Sequence, residues 1–407
     1  MISVGIDIGN SKISCIVGDL KNNKKDKILS FISKPTKNVT KGIITDLKKV
    51  KLEVEEVLNL ASKESQTNIA NVRLSLPLVD SLSNYLTNEI YVSNEKISKL
   101  HIKKTINNSD LLKPIENFKV IYNSIKNYEL DQHSGIKDPI GMYCNKLKVN
   151  FYKLAIKQNY IKSIVGIFDE LKIQIENYVP SPFSSALATL KEDEKEIGAF
   201  CLDLGAESTG ISVIENNNLI FADSIPIGGN HITKDLVRGV STDLESAERL
   251  KTLYGSVFTN PTDDHELIDV PLLGSDSNQS NQVNMSFVNS IIKPRVEETL
   301  ELIRQKLKQY NLHKTKIRNI VLTGGGSLLE GIEEYAKLIF DSKSRLGKPL
   351  PMLGLQENFC KPQFSQTIGL MLYKPQNFEI EYLLKKQGKS EKLSVFRQFS
   401  SWLDQYI

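Results

Sequence analysis

The sequence predicts an α/β protein of two related lobes facing each other across a cleft. Three observations predict it. A strand–Asp–x–Gly–turn–strand pattern opens the chain, a second copy recurs about halfway along, and a glycine triplet between a strand and a helix follows in the last quarter.

The first pattern is VGIDIGNSKIS, residues 4 to 14. Ile2, Val4, Ile6 and Ile8 alternate with Ser3, Gly5 and Asp7, the period of a half-buried strand. Gly9, Asn10 and Ser11 signal a tight turn, and Ile13, Cys15 and Val17 resume the alternation on a return strand. A carboxylate inside such a strand is costly if buried without a partner. A solvated edge strand would instead leave Asp7 in water, and this stretch alone is compatible with both.

The second pattern, GAFCLDLGAESTGISVI, sets Phe200, Leu202 and Leu204 against Cys201 and Asp203, turns at Gly205 and continues through Ile211 and Val213. Two carboxylates at equivalent turns, nearly two hundred positions apart, point to a cleft between two related lobes. The third element, NIVLTGGGSLLEGIEEYAKLIF, reads as a strand (Ile320, Val321, Leu322), then Gly324, Gly325 and Gly326, then Ser327 as the N-cap of a helix marked by Leu328, Ile332 and Leu338. Bare glycine backbone at a helix start lets amides approach an anion, although an unliganded strand–helix turn has the same composition. Taken together, the two hairpins can offer turn amides to phosphates while Asp7 and Asp203 hold Mg²⁺ through water, an ion that keeps much of its hydration shell. The third turn can take the nucleoside side.

Composition bounds the alternatives. The 407 residues suffice for two sizeable domains, and 40% apolar with 25% charged residues is ordinary for a soluble globular chain. A net charge of +4 over this length gives little general attraction for nucleic acid, which is not an expected partner. Cys15, Cys144, Cys201 and Cys360 form no CxxC pair, and the five histidines show no metal-ligand spacing, so neither a zinc centre nor a disulfide framework is expected. The N-terminus lacks a signal-peptide pattern, and no apolar run approaches the roughly 18 residues needed to cross a bilayer.

The three motifs resemble the phosphate and adenosine loops of the actin-like ATPase superfamily. Within it, GIKDPIGM (135 to 142), PIGGNHITKDL (226 to 236), SAERLKTLYG (246 to 255) and IIKPRVEETLELI (291 to 303) resemble the FtsA family of bacterial cell-division proteins, in order and spacing along nearly the whole chain. The resemblance implies a bilobal actin-like fold, each lobe a mixed sheet flanked by helices. The first lobe would comprise residues 1–77 and 159–191, interrupted by an inserted subdomain at 78–158 that contains HIKKTINNSDLLKP as a solvent-facing helix. PSPFSSALATL would be a helix between the lobes. The second lobe would span 192–374, with a small subdomain at about 231–310, and GSDSNQSNQVN (274 to 284) reads as a flexible polar connection.

The resemblance further implies ATP and Mg²⁺ as cofactors. Asp7 and Asp203 would be the catalytic and metal-holding carboxylates, and Gly9, Asn10, Ser11 and Lys12 the first phosphate loop. Gly205, Ala206, Glu207 and Ser208 would form the second loop, and Gly324, Gly325, Gly326 and Ser327 the adenosine motif. Glu248 and Lys251, i to i+3 on one helical face, would approach the nucleoside; an ordinary surface ion pair has the same spacing. The second loop departs from the family's Asp-x-Gly-Gly-Gly-Thr by carrying Glu207. At about 4 Å and an effective dielectric of about 20, one like-charge pair costs about 4 kcal/mol. Glu207 therefore points away, joins the metal shell or weakens ATP binding, and at most weak ATPase activity is expected.

The last sixteen residues, KLSVFRQFSSWLDQYI (392 to 407), place Val395, Phe396, Phe399, Trp402, Leu403 and Tyr406 on one helical stripe. A mostly polar linker, residues 375–391, precedes it. Such a helix is about 24 Å long, too short for roughly 30 Å of hydrocarbon, yet suited to lie in an anionic membrane interface. A terminal helix docked on its own domain would show the same stripe, but would need no long polar tether.

FtsA-like proteins end in a membrane-targeting helix. The resemblance accordingly implies an adaptor at the cytoplasmic face of the inner membrane at the division site. It would polymerise with itself, hold the C-terminal peptide of the tubulin-like protein FtsZ, and meet other division-ring proteins. Arg295 is the candidate contact for that acidic peptide, with an internal ion pair to Glu297 or Glu298 as its rival. A soluble phosphotransferase or ATPase of the superfamily, or a type IV pilus assembly scaffold, are the alternative readings; neither has an evident need for the tail.

Overall fold

The computed structural model describes residues 2–20, 26–111, 113–273, 280–312 and 319–375. The first lobe begins with β1 (Ile2–Ile8), β2 (Lys12–Asp19), β3 (Lys27–Pro35), the short ribbon β4 (Val39–Thr40) and β5 (Ile43–Ile44), α1 (Leu47–Ser65) and β6 (Asn71–Leu76). The insert follows: β7 (Leu82–Lys96), α2 (Lys99–Asn107), β8 (Phe118–Leu130), β9 (His133–Ile136) and β10 (Tyr143–Lys157). The lobe is completed by α3 (Gln158–Glu170), β11 (Gln174–Pro180) and α4 (Ser181–Thr189). The second lobe runs through α5 (Glu192–Ile197), β12 (Ala199–Leu204), β13 (Thr209–Glu215), β14 (Asn218–Ile225), α6 (Gly229–Val240) and α7 (Leu244–Tyr254). It continues through β15 (Leu267–Pro271), β16 (Ser280–Asn284), α8 (Met285–Gln309), β17 (Asn319–Thr323), α9 (Ile332–Phe340), β18 (Lys343–Leu346) and α10 (Ser365–Leu372).

The two lobes repeat one sheet. The first has strand order β11-β6-β1-β2-β3 and the second β18-β17-β12-β13-β14. In each, the Asp-bearing strand pairs antiparallel with the next strand and parallel with a later one. Alternation predicted a half-buried β1, yet β1 is buried from Ser3 to Ile8. It is central in its sheet, and α10 closes on it at Gly5, where a Cβ would lie 2.6 Å from that of Leu370. The solvated-edge alternative for Asp7 is thereby removed.

Each lobe lends its last helix to the other. Helix α4 packs on β12, β13 and β14, α10 packs on β1, β2 and β6, and the two helices cross. A Cβ at Gly369 would overlap the Ser184 carbonyl, so only glycine permits this crossing. The apolar core is continuous through it: Val4, Ile6 and Leu74 of the first lobe join Ala199, Cys201, Val321 and Leu370 of the second.

The insert has its own antiparallel sheet, order β7-β10-β8-β9, and its own core. Helix α2, expected to face solvent, does so with Lys99, Leu100 and Lys104, while its other face packs Ile102 and Ile106 into that core. The insert covers the outer edge of the second sheet. The Ala222 amide donates to Tyr152 Oη at 2.8 Å, Ser83 Oγ to the Ala222 carbonyl at 2.8 Å, and Tyr85 Oη to the Ile220 carbonyl at 2.9 Å. Residues 280 to 284, read as part of a flexible connection, form β16 and pair with β15. Ser327 belongs to a 3₁₀ turn, Gly325–Leu328, rather than capping α9, which starts at Ile332.

Among the described residues no helix is long and apolar enough to cross a membrane. The linker from residue 376 onward and the stripe of Val395, Phe396, Phe399, Trp402, Leu403 and Tyr406 lie outside the described residues.

Candidate functional site

Asp7 and Asp203 are next to last in β1 and β12 and face their partner strands at Ser14 and Gly210. The turns that follow close identically. The Gly9 amide donates to the Lys12 carbonyl at 3.0 Å, and the Gly205 amide to the Ser208 carbonyl at 3.0 Å. A Cβ would fall 3.0 Å and 2.8 Å from those same carbonyls, which is why both turns open on glycine. Residue for residue, Ser11 corresponds to Glu207.

Between the lobes lies a cavity of about 650 Å³. It is lined by Asp7, Gly9, Asn10, Ser11 and Lys12 from one side, and by Asp203, Gly205, Ala206 and Ser208 from the other. Gly324, Gly325, Gly326, Glu248 and Lys251 line it as well. The structure thus brings together every residue expected in the cleft except Glu207 and Ser327. Ser327 is buried, with its hydroxyl donating to the Gly324 carbonyl at 2.7 Å.

Glu207 turns away, the first of its three expected fates. Its carboxylate accepts from Asn230 Nδ2 at 2.9 Å and from Lys234 Nζ at 3.1 Å, both on α6. Burial pushes its pKa up, but the bonds from Asn230 and Lys234 outweigh that and hold it below the usual range. The start of α6 also clamps the turn: Gly229 and Asn230 amides donate to the Gly205 and Ala206 carbonyls at 2.9 and 2.7 Å.

The cleft carboxylates are not ordinary. Burial raises Asp7 to about 7, with Lys12 opposing and Asp203 adding to the rise. Burial also raises Asp203 against Ser185 and Lys12, and lowers Lys12 despite both aspartates. Lys12 Nζ sits 4.8 Å from the Phe364 ring centre. Once both are ionised, Asp7 and Asp203 carry one more charge than Lys12 neutralises, and a divalent cation beside them would favour that ionised form. Among the described residues no group of three or more His, Cys, Asp or Glu side chains gathers to chelate a metal. A cation here would be held by Asp7 and Asp203 largely through water and by an anionic ligand, the habit of Mg²⁺.

Glu248 and Lys251 pair with each other at 2.6 Å on the cavity rim, and Lys251 also donates to Thr233 Oγ1 at 2.8 Å. Ion pair and cavity wall are one arrangement here. Arg295 lies on α8, where Nε meets Asp235 Oδ2 of α6 at 2.6 Å and Nη1 meets Glu298. The internal pair to Glu298 was the expected rival; Asp235 went unforeseen because it is sixty positions away.

Sequence reasoning also missed Gln366, Ser75 and Ser185. Gln366 Nε2 donates to Asp7 Oδ1 and Ser75 Oγ, and Ser185 Oγ donates to Asp203 Oδ2. Only the placement of Ser185 in a helix expected between the lobes hinted at its role; Gln366 carries no motif.

Residues 200–369 match the family model described as cell division protein FtsA, and residues 82–154 match that of the SHS2 domain inserted in FTSA. The cell division protein FtsA of Agrobacterium fabrum is 31% identical over 92% of this chain and 87% of its own length. That of Escherichia coli K12 is 24% identical over 98% and 97%. Among solved structures, the chain resembles the PilM-PilN type IV pilus biogenesis complex with a TM-score of 0.63 at 15% identity, covering 94% of this chain and 99% of that one. It also resembles MreB5 of Spiroplasma citri bound to ADP, with a TM-score of 0.55 at 12% identity over 94% and 97%. At such identities these structures speak for the actin-like fold alone.

Proposed function

Since the chain belongs to the FtsA family of bacterial cell-division proteins, we propose that it is an ATP-binding membrane adaptor of the division ring. The single observation that carries the nucleotide part is the pair of equivalent Asp–Gly turns facing one cavity. Turn amides at residues 9 to 12 and 205 to 208 would take the phosphates, and Asp7 and Asp203 would hold Mg²⁺ through water. The backbone of Gly324, Gly325 and Gly326, with Glu248 and Lys251, would take the nucleoside. The bound metal supplies charge neutralisation to the phosphates, and turnover would be weak. That MreB5 of Spiroplasma citri, a protein of this fold, is bound to ADP supports a nucleotide as the ligand.

The tail would lay its apolar stripe into an anionic interface at the cytoplasmic face of the inner membrane. The body would polymerise into protofilaments and hold the FtsZ C-terminal peptide on the small subdomain at about residues 231–310, alongside other division-ring proteins. Arg295 is the proposed peptide contact, where an acidic segment would compete with Asp235 and Glu298 for one guanidinium.

Co-flotation with anionic vesicles tests the adaptor. The full chain should float and carry FtsZ with it, whereas a truncation ending at Ser390 and the Trp402→Glu variant should not. Equal recovery of the truncation and the full chain in the floating fraction would exclude the tail as the anchor.

A further inference from the structure

Each cleft aspartate is held by the helix that the other lobe lends. Asp7, on β1 of the first lobe, accepts from Gln366 at the start of α10, the last helix of the second. Asp203, on β12 of the second lobe, accepts from Ser185 on α4, the last helix of the first. The two latches are joined at the crossing, where Ser184 Oγ donates to the Gln366 carbonyl at 2.6 Å.

Gln366 engages Oδ1 of Asp7, a carboxylate that also hydrogen-bonds Ser75, and Ser185 engages Oδ2 of Asp203. Asp7 Oδ2 faces the first turn, 3.6 Å from where a Cβ on Gly9 would be, and Asp203 Oδ1 faces Gly324 closely enough to collide with any Cβ there. The latches therefore set the rotation of each carboxylate, aiming the other oxygen at a glycine turn. Gln366 suits this task. Its amide nitrogen has two protons, one on Asp7 and one on Ser75, so the side chain is fixed at both.

We propose that Gln366 and Ser185 are positioning residues for divalent-cation binding, each orienting one metal-facing aspartate from the opposite lobe, so that the ion is held well only when the α4–α10 crossing is in register. This rests on the nucleotide reading above. Neither residue touches the ion; they act by keeping two carboxylates preorganised. The crossing makes them a unit, because a shift of α10 along α4 moves the Asp7 latch and strains the Ser184 bond together.

The test is binding of a fluorescent ATP analogue to the full chain across a Mg²⁺ titration, with Gln366→Met and Ser185→Ala compared with wild type. Thermal unfolding without ligand is followed in parallel. Each variant should need about tenfold more Mg²⁺ for half-maximal binding, the size expected from losing one hydrogen bond to a charged group. The loss should be confined to the Mg²⁺-dependent part of the affinity. Unchanged Mg²⁺ midpoints in both variants would overturn the proposal, leaving the latches a packing role. If Gln366→Met unfolds, Ser185→Ala, which removes one buried hydroxyl, decides the question. Failure of wild type to bind the analogue at any Mg²⁺ concentration would overturn the nucleotide reading itself, a result the variants cannot mimic.

Discussion

Glu207, buried on the second glycine turn, is bound to Lys234 one helix away at 3.1 Å, and so faces α6 rather than the cleft. The residue that breaks the family's loop pattern is removed from the expected phosphate position by a partner that the loop sequence does not contain. The exposed lysine screens part of the interaction, but the carboxylate has little water to fall back on.

Lys234→Met should therefore cost about 1–2 kcal/mol of stability by leaving Glu207 half satisfied on Asn230. It should also weaken ATP binding as the freed carboxylate samples the cleft. Glu207→Gln should be milder in both respects. Thermal unfolding and ATP titration of the two variants check this; equal losses would mean that the charge of Glu207 is not what Lys234 controls.

Gly369→Ala places a methyl group against the Ser184 carbonyl at the helix crossing. Overpacking of this kind costs about 1–3 kcal/mol, and here backbone rather than a flexible side chain must yield. Denaturant unfolding should show a lower midpoint. An unchanged midpoint would mean that the two helices slide freely at this point.

Asp7 gives a pH signature. Its folded pKa of about 7 lies above the ordinary value of 3.8, so the ligand-free folded state binds the proton more tightly than the unfolded state does. Stability contributed by the protonated form is full below about pH 4 and is lost as pH rises toward 7. Asp7→Asn should thus match wild type near pH 4 and be more stable above pH 7, by a few kcal/mol at most given ~1.4 per pKa unit. Melting temperatures from pH 4 to 8 without metal or nucleotide check the sign; a variant less stable at pH 8 would contradict it.

Much of this architecture is legible in the sequence because strand–Asp–x–Gly–turn units are local. The period of β1 and β12, the steric need for Gly9 and Gly205, and the recurrence of the pattern all lie within short windows. The family's comparisons agree with the actin-like fold and the inserted domain so read. What escaped was long-range. Strand alternation could not show that β1 is covered on both faces, since its second cover, α10, lies more than 350 positions away. Glu207 could be recognised as a departure, but its resolution needed Asn230 and Lys234 on the next helix. Gln366 was invisible for the same reason: a glutamine at a helix start has no signal until the fold sets it beside Asp7.

The most direct test of the cleft as a nucleotide site is calorimetric titration of the purified chain with ATP, with and without Mg²⁺, alongside Asp203→Asn. Wild type should bind one ATP per chain, with affinity raised by Mg²⁺, and the variant should lose most of that Mg²⁺ gain. Saturable binding that ignores Mg²⁺ and Asp203 alike, or no binding at all, would contradict the assignment of the cavity between the lobes.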